Sequence, residues 1–477
     1  MLMINGVIKK IFLTLTLMAG DLLAILASFV LAYYIRSWFL VDVIPLFPKM
    51  IHGIDVYLKA WTLGSLWVLI FAYEGLYPSI GMGFWDETKS LLKGNMLCFV
   101  ILILLTFVTK TTIDFSRPVV ALALLFSIGF LPFMRQFSRR VLNGLGLWKK
   151  NVLIIGSSEA VQQVLCNLRK HPDWGLHPVG VVSPDGRDGA LDKALPVYRD
   201  VMQVDDARIK PEEVIVAAPR VSRAELLEIV EDAMKVSPVV KMLPDLYGVA
   251  SVGVKTYDLD GMLLLEMEDR LALKRNSVTK RAFDILCALA GLLVLSPLFL
   301  LIVSLIKLDS RGPAFFGHKR LGKGGRYFTC YKFRTMRPDA EQVLKELLRR
   351  DPEARAQWER DFKLKNDPRI TRIGAFLRKT SLDEIPQLWN VVKGDMSLVG
   401  PRPIVTDEVE RYGDKARYLF KVPPGITGLW QVSGRNDIDY EERVLLDEYY
   451  AKNWSLWLDI EVIIRTFGAV LKKQGAY

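Results

Sequence analysis

The sequence predicts a membrane protein of mixed class: an N-terminal four-helix transmembrane bundle over residues 1–145, a Rossmann-like α/β domain over 146–270, and a C-terminal α+β domain over 271–477 that carries a proline-kinked, re-entrant membrane helix at 280–308. Three observations carry that prediction. Apolar runs near 11–35, 57–73, 91–108 and 119–133 approach the ~20 residues a bilayer requires, in a chain whose hydrophobic content is 51%. From Asn151 onward the pattern becomes short β-rich runs alternating with amphipathic helices, the signature of a parallel sheet. A further apolar run, 282–306, is interrupted at its centre by Ser296-Pro297.

The first span follows Lys9 and Lys10. Its apolar run exceeds the ~7–15 residues of a signal sequence and no small-x-small cleavage site follows it, so it reads as an anchor. Lys9 and Lys10 before the first span, and Arg135, Arg139, Arg140, Lys149 and Lys150 after the fourth, put both ends in the cytoplasm by the positive-inside rule. Asp21, read as lying near a helix end, is expected to pair with a neighbour or with water. The four cysteines are far apart and read as small buried hydrophobes in a reducing compartment. A net charge of +11 suits an anionic membrane surface, a phosphorylated substrate or nucleic acid, and charge alone does not choose among them.

In the α/β domain, strands are expected at 152–156, 179–182, 214–217 and 239–242, with helices at 158–169 and 224–235. A dinucleotide fingerprint needs glycines at three positions after the first strand, whereas Gly156 is followed by Ser158 and Val161. The domain therefore reads as structural or regulatory. Lys280 and Arg281 precede the next apolar run and Lys307 and Arg311 follow it, so charge gives it no direction. Pro297 removes a backbone donor and Ser296 can satisfy a freed carbonyl, which lets two half-helices enter and leave by one face.

Residues 317–324 nearly match a phosphate-binding loop, but Gly324 stands where the magnesium-binding hydroxyl belongs, so a basic hairpin is expected instead. Lys332 and Arg334 alternate with apolar residues, which puts both on one face of a strand and fits phosphate binding. Residues 339–365 read as a solvated, charged helical region. Arg372 and Arg378 lead into Ser381-Leu382-Asp383-Glu384, whose spacing is that of a capping box. Two readings are open there: caps at a helix start, or a pair of ionised acids with a chemical task. Arg402 lies between Pro401 and Pro403, which restrict the backbone and present its guanidinium to a phosphate at little ordering cost. The stretch 454–471 has apolar residues near helical spacing, suited to a membrane interface or to core packing.

Lys280-Arg281-Ala282-Phe283-Asp284, Ser296-Pro297-Leu298, Lys332-Phe333-Arg334-Thr335-Met336 and residues 380–390, 394–403 and 424–435 together resemble the bacterial sugar transferase family, the polyprenyl-phosphate hexose-1-phosphate transferases or long-form monotopic phosphoglycosyl transferases, among which the galactose phosphotransferases of O-antigen assembly look most similar. The resemblance implies that the C-terminal domain is a monotopic catalytic domain on the cytoplasmic face of a bacterial inner membrane. It implies UDP-hexose, undecaprenyl phosphate and membrane lipids as partners, no nucleic acid, and Mg²⁺ as cofactor. Asp383 is then the nucleophile, Glu384 its metal-holding or orienting partner, and Arg402 a phosphate ligand. Lys332, Arg334, Arg372 and Arg378 are further candidates for phosphate or lipid head group, with Gln431 and Arg435 facing the nucleotide. Galactose and glucose are both open as the hexose. A membrane-tethered NAD-dependent nucleotide-sugar dehydratase and a non-enzymatic assembly scaffold are the alternatives, and the α/β domain offers a contact for a homodimer.

Overall fold

The computed structural model describes the chain apart from residues 1, 45–48, 51, 60–63, 110–114, 184–194, 207–209, 219–220, 244–253, 260–261, 267–269, 354, 356, 358–363, 365–366, 435–437 and 472–477. The chain divides into two compact units, Met1–Leu246 and Tyr247–Tyr477.

In the first unit, α1 (Leu2–Tyr34), α2 (Phe84–Val108) and α3 (Arg117–Gly144) are long and apolar enough to cross a bilayer. The expected second span covers the helices Asp55–Lys59 and Gly64–Tyr73, with 60–63 between them outside the described residues. Trp67, Phe71 and Phe99 pack between the helices, while Val100, Ile103, Leu104 and Phe107 face outward. Asp21 does pair with a neighbour, but from the middle of α1. Arg135 grips it bidentately at 2.8 and 2.7 Å, Tyr77 donates to it at 2.6 Å, and Arg139 pairs with Glu87 at 2.8 Å.

The same unit holds a five-stranded parallel sheet of order β3-β2-β1-β4-β5, made of β1 (Lys150–Gly156), β2 (Leu176–Val182), β3 (Val197–Tyr198), β4 (Glu213–Ala217) and β5 (Val240–Met242). Helices α4 (Ser158–Lys170) and α5 (Arg223–Val236) follow β1 and β4. Leu153 and Ile155 pack on one side of the sheet, Val152 and Ile154 on the other. A side chain at Gly156 would stand 1.9 Å from the Ala217 carbonyl oxygen. The glycine is thus explained by the approach of β4, and no ligand is needed to account for it.

The second unit opens with the hairpin β6 (Lys255–Leu259) and β7 (Met262–Glu266). Helices α6 (Lys274–Val294) and α7 (Ser296–Asp309) then meet at 61°, at the break the sequence marked. Ser296 donates its hydroxyl to the Leu293 carbonyl at 2.7 Å, and Pro297 sits in the first turn of α7, where its missing N–H costs nothing. The expected basic hairpin is β8 (Phe315–Leu321) and β9 (Tyr327–Phe333). After the helix Ala340–Arg350 come α8 (Arg372–Thr380), α9 (Gln387–Lys393), the short parallel pair β10 (Ser397–Val399) and β11 (Gly425–Thr427), α10 (Tyr440–Asn453) and α11 (Leu456–Leu471). Helix α11 divides its apolar residues between both expected roles, since Val462 is buried whereas Ile464 and Phe467 are exposed.

A buried polar knot ties these pieces together. Lys280 of α6 reaches Asp459 at 2.7 Å and the Val399 carbonyl at 3.1 Å, and Asp284 accepts from Ser397 Oγ at 2.8 Å. Tyr450 donates to Asp459 at 2.7 Å, so every charge in the knot has a partner, as burial requires.

Candidate active site

Helix α8 begins where Thr371 Oγ1 accepts from the Gly374 N–H at 3.0 Å and ends at Ser381, whose φ of 57° lies in the left-handed region. Among the described residues Ser381 is the only non-glycine there. That conformation costs on the order of 1–3 kcal/mol and tends to persist where function needs it. It reverses the chain into one 3₁₀ turn, Leu382–Glu384, ahead of Pro386 and α9. The expected capping box does not form, because an N-cap needs extended backbone and Ser381 is left-handed, its side chain making no cap bond. The same spacing does form a full box at Ser222 and Glu225, where Ser222 is extended. Asp383 and Glu384 are therefore displayed by a tight turn and are free of a capping task.

Lys332 of β9 reaches into that turn, its Nζ standing 2.7 Å from Glu384 and 3.5 Å from Asp383. Asn390 of α9 holds β9 in place, accepting from the Tyr331 N–H at 3.0 Å and donating to the Thr329 carbonyl at 2.7 Å. Burial pushes the Asp383 carboxyl above the ordinary aspartate range; Lys332 pulls it back, Glu384 adds to the rise and Arg378 opposes it. For Lys332, burial works against the charge, yet Glu384 and Asp383 outweigh it and hold the ammonium above its ordinary range. The acids are thus not simply ionised at an open helix end, as the spacing suggested. One is covered, and a cation spans both.

The turn faces a cleft of about 1110 Å³. Lys332, Arg378 and Arg402 line its charged side, Pro313, Phe315 and Phe316 its apolar side, and Trp430 and Gln431 also border it. Arg402 follows β10, whose register with β11, Ser397 to Gly425 and Val399 to Thr427, brings two distant motifs together. It is exposed and, among the described residues, makes no hydrogen bond or ion pair. Arg378 donates from Nε to Thr335 Oγ1 at 2.9 Å.

The other expected site residues divide. Arg334 borders the cleft together with Lys332; it lies just beyond β9, and its guanidinium closes the end of α7 by donating to the Ser310 carbonyl at 2.8 Å and the Arg311 carbonyl at 3.1 Å. Arg372 is exposed at the start of α8, two turns from Arg378, and does not line the cleft. Arg435 lies outside the described residues.

Residues 275–473 match the family model described as bacterial sugar transferase, and residues 73–240 one described as a CoA-binding domain. The chain is 40% identical to the undecaprenyl-phosphate galactose phosphotransferase of Salmonella typhimurium, over 87% of this chain and 86% of the relative. The chain belongs to the bacterial sugar transferase family. It is also 37% identical to the UDP-galactose-lipid carrier transferase of Erwinia amylovora over 98% of each chain, and 30% identical to the UDP-glucose:undecaprenyl-phosphate glucose-1-phosphate transferase of Klebsiella pneumoniae over 90% of this chain and 87% of the relative.

In this sugar transferase, Thr335, Ser381 and Trp430 also border the cleft, though none was assigned to substrate from the sequence. The conformation of Ser381 left no signal in its residue type, but the position of Thr335 between Arg334 and Met336 in a matching motif did mark it. Among the described residues no group of three or more His, Cys, Asp or Glu side chains is placed to hold a metal ion. Asp383 and Glu384 nevertheless fit Mg²⁺, which takes one or two protein carboxylates and completes its shell with phosphate and water oxygens.

Proposed function

We propose that this protein transfers hexose 1-phosphate from a UDP-hexose to undecaprenyl phosphate and releases UMP, as the first membrane step of O-antigen or other surface polysaccharide synthesis. The observation that carries the reading is the covered Asp383 beside Glu384, spanned by Lys332 and facing a cleft bordered by Arg378 and Arg402. An Asp383 oxygen attacks the β-phosphorus, the bond to the bridging oxygen breaks, and UMP leaves with that electron pair. An oxygen of the lipid phosphate then attacks the same phosphorus, the aspartyl bond breaks, and the carboxylate returns. Arg402 and Arg378 meet phosphate charge and Lys332 keeps Asp383 ionised. Asp383 and Glu384 would hold Mg²⁺, which, when bound, offsets diphosphate charge that otherwise repels a carboxylate. Gln431 and Arg435 are assigned to the nucleotide side.

Galactose is the proposed hexose, supported by the names of two relatives that cover most of the chain. Glucose is the second reading, favoured by the Klebsiella pneumoniae relative. The bent pair α6 and α7 is taken as re-entrant and the N-terminal helices, with Gly64–Tyr73, as a four-helix bundle, in a bacterial inner membrane with the cleft on the cytoplasmic face. The α/β domain is assigned a structural or regulatory role, with a homodimer contact among its possible uses. The test supplies purified protein with Mg²⁺, undecaprenyl phosphate and either UDP-galactose or UDP-glucose. Release of UMP with formation of lipid-linked sugar is expected for galactose, and full activity in Asp383→Asn would sink the nucleophile assignment.

A further inference from the structure

Beside the charged side of the cleft stands an aromatic wall that the chemistry above leaves unused. In the β8–β9 hairpin Phe316 pairs with Lys332 and Phe315 with Phe333. Phe316 and Lys332 therefore project from one face, and Phe315 and Phe333 from the other. Phe299 of α7 tiles against the second pair, its ring 5.7 Å from Phe315 and 4.9 Å from Phe333, while Phe315 and Phe333 lie 5.7 Å apart. The rings join the bent helix pair to the rim of the cleft.

Phe333 is buried, but Phe315 is 44% and Phe316 50% exposed, and Leu300 and Leu301, next along α7, are exposed as well. The exposed rings of Phe315 and Phe316 thus form an apolar strip at the rim of the cleft, beside the strand that carries Lys332. Water is a poor cover for such a strip. A nucleotide or a hexose needs hydrogen-bonding partners, and the Phe side chains of the strip supply none. A hydrocarbon chain needs only apolar area.

We propose that Phe316, beside Lys332 on the same face of the hairpin, seats the first isoprene groups of the polyprenyl acceptor, with the rest of its chain passing Phe315 at the rim of the cleft toward α7. The acceptor's phosphate then arrives on the Lys332 side of the cleft, in reach of the Asp383 turn. This rests on the transferase reading, and it assigns the apolar wall to the second half-reaction alone.

The two halves can be measured apart in the full-length protein held in nanodiscs. UMP released in a single turnover without acceptor reports the first half, and the dependence of rate on undecaprenyl phosphate concentration reports the second. In Phe316→Ala the burst of UMP and the donor KM are expected to stay within about twofold of wild type, while the acceptor KM rises on the order of tenfold, about 1.4 kcal/mol. Phe316→Leu keeps apolar cover and is expected to restore most of the acceptor KM. A changed burst or donor KM with the acceptor KM unmoved would overturn the assignment, as would Phe316→Leu behaving like Phe316→Ala, which would indicate a contact specific to a ring. Wild-type protein that releases no UMP from any UDP-hexose would instead overturn the transferase reading itself.

Discussion

The Lys332 ammonium stands 2.7 Å from Glu384 and 3.5 Å from Asp383, reaching from strand β9 into the turn that follows α8. Asp383 acts as a nucleophile only when ionised, and burial, the largest influence on it, pushes its pKa up. Lys332 is the group that most opposes that rise. Lys332→Met is therefore expected to move the acid limb of the pH–rate profile for UMP release to higher pH, and to lower the rate at pH 7 on the order of a hundredfold. Lys332→Arg keeps the charge and should shift the limb less. An acid limb that stays where wild type has it would show that Lys332 does not control the nucleophile.

Gly374 makes a second, purely steric prediction. Alanine is the better helix former by ~1 kcal/mol, so Gly374→Ala in α8 would stabilise an isolated helix. A Cβ there would lie 2.0 Å from the Thr335 carbonyl oxygen, a backbone atom that cannot rotate away. The clash outweighs the propensity: about 1–3 kcal/mol of stability should be lost as α8 moves off the segment that follows β9, taking Arg378 and the Asp383 turn with it. A lower thermal midpoint together with reduced turnover is expected, and a raised midpoint would contradict the packing.

What could be read from the sequence, and what could not, follows from the range over which each signal acts. The parallel sheet and the break at Ser296-Pro297 rest on local periodicity and on proline's missing donor, and both stand in the structure. Asp383 and Glu384 were recognisable as a candidate pair, but their backbone was not: Ser222 and Ser381 share one spacing, and only tertiary packing turns Ser381 into the end of the preceding helix. Lys332 and Arg334 both border the cleft, as alternation suggested, but the bonds of the Arg334 guanidinium to the carbonyls at the end of α7 leave no local mark in the sequence. The union of β10 with β11 involves residues far apart in the chain and leaves no periodic mark at either.

In the first unit, Arg135 is 1% exposed and bonded to Asp21 through two of its nitrogens. Removing one partner of such a pair leaves a buried charge uncompensated, at a cost of about 3–5 kcal/mol. Asp21→Ala is expected to lower the yield and thermal midpoint of the protein in detergent by that mechanism, Arg135 keeping only its longer 3.5 Å contact with Glu87 as an ion pair. The double change Asp21→Ala with Arg135→Met should be milder than the sum of the singles, since neither charge is then stranded. Simple additivity would show that the two side chains do not act as a pair.

Asp447 of α10 is 2% exposed and accepts a hydrogen bond from Tyr412 at 2.8 Å, while its other oxygen has no hydrogen-bond partner. Burial pushes its pKa up to about 7, against the opposing effects of Tyr412 and of Arg443 one turn away. An acid whose folded-state value exceeds its ordinary 3.8 is stabilising in protonated form. Its contribution is complete below that ordinary value and is lost as pH rises through about 7. The penalty above neutrality is about 2–4 kcal/mol. Asp447→Asn retains an oxygen to accept from Tyr412 and never ionises. The margin by which the variant melts above wild type is therefore expected to be small at pH 5 and larger at pH 8, which a pair of melting curves at those two values measures. Equal midpoints at pH 8 would mean that Asp447 ionises in the folded protein without cost, and that the apolar cover around it admits water.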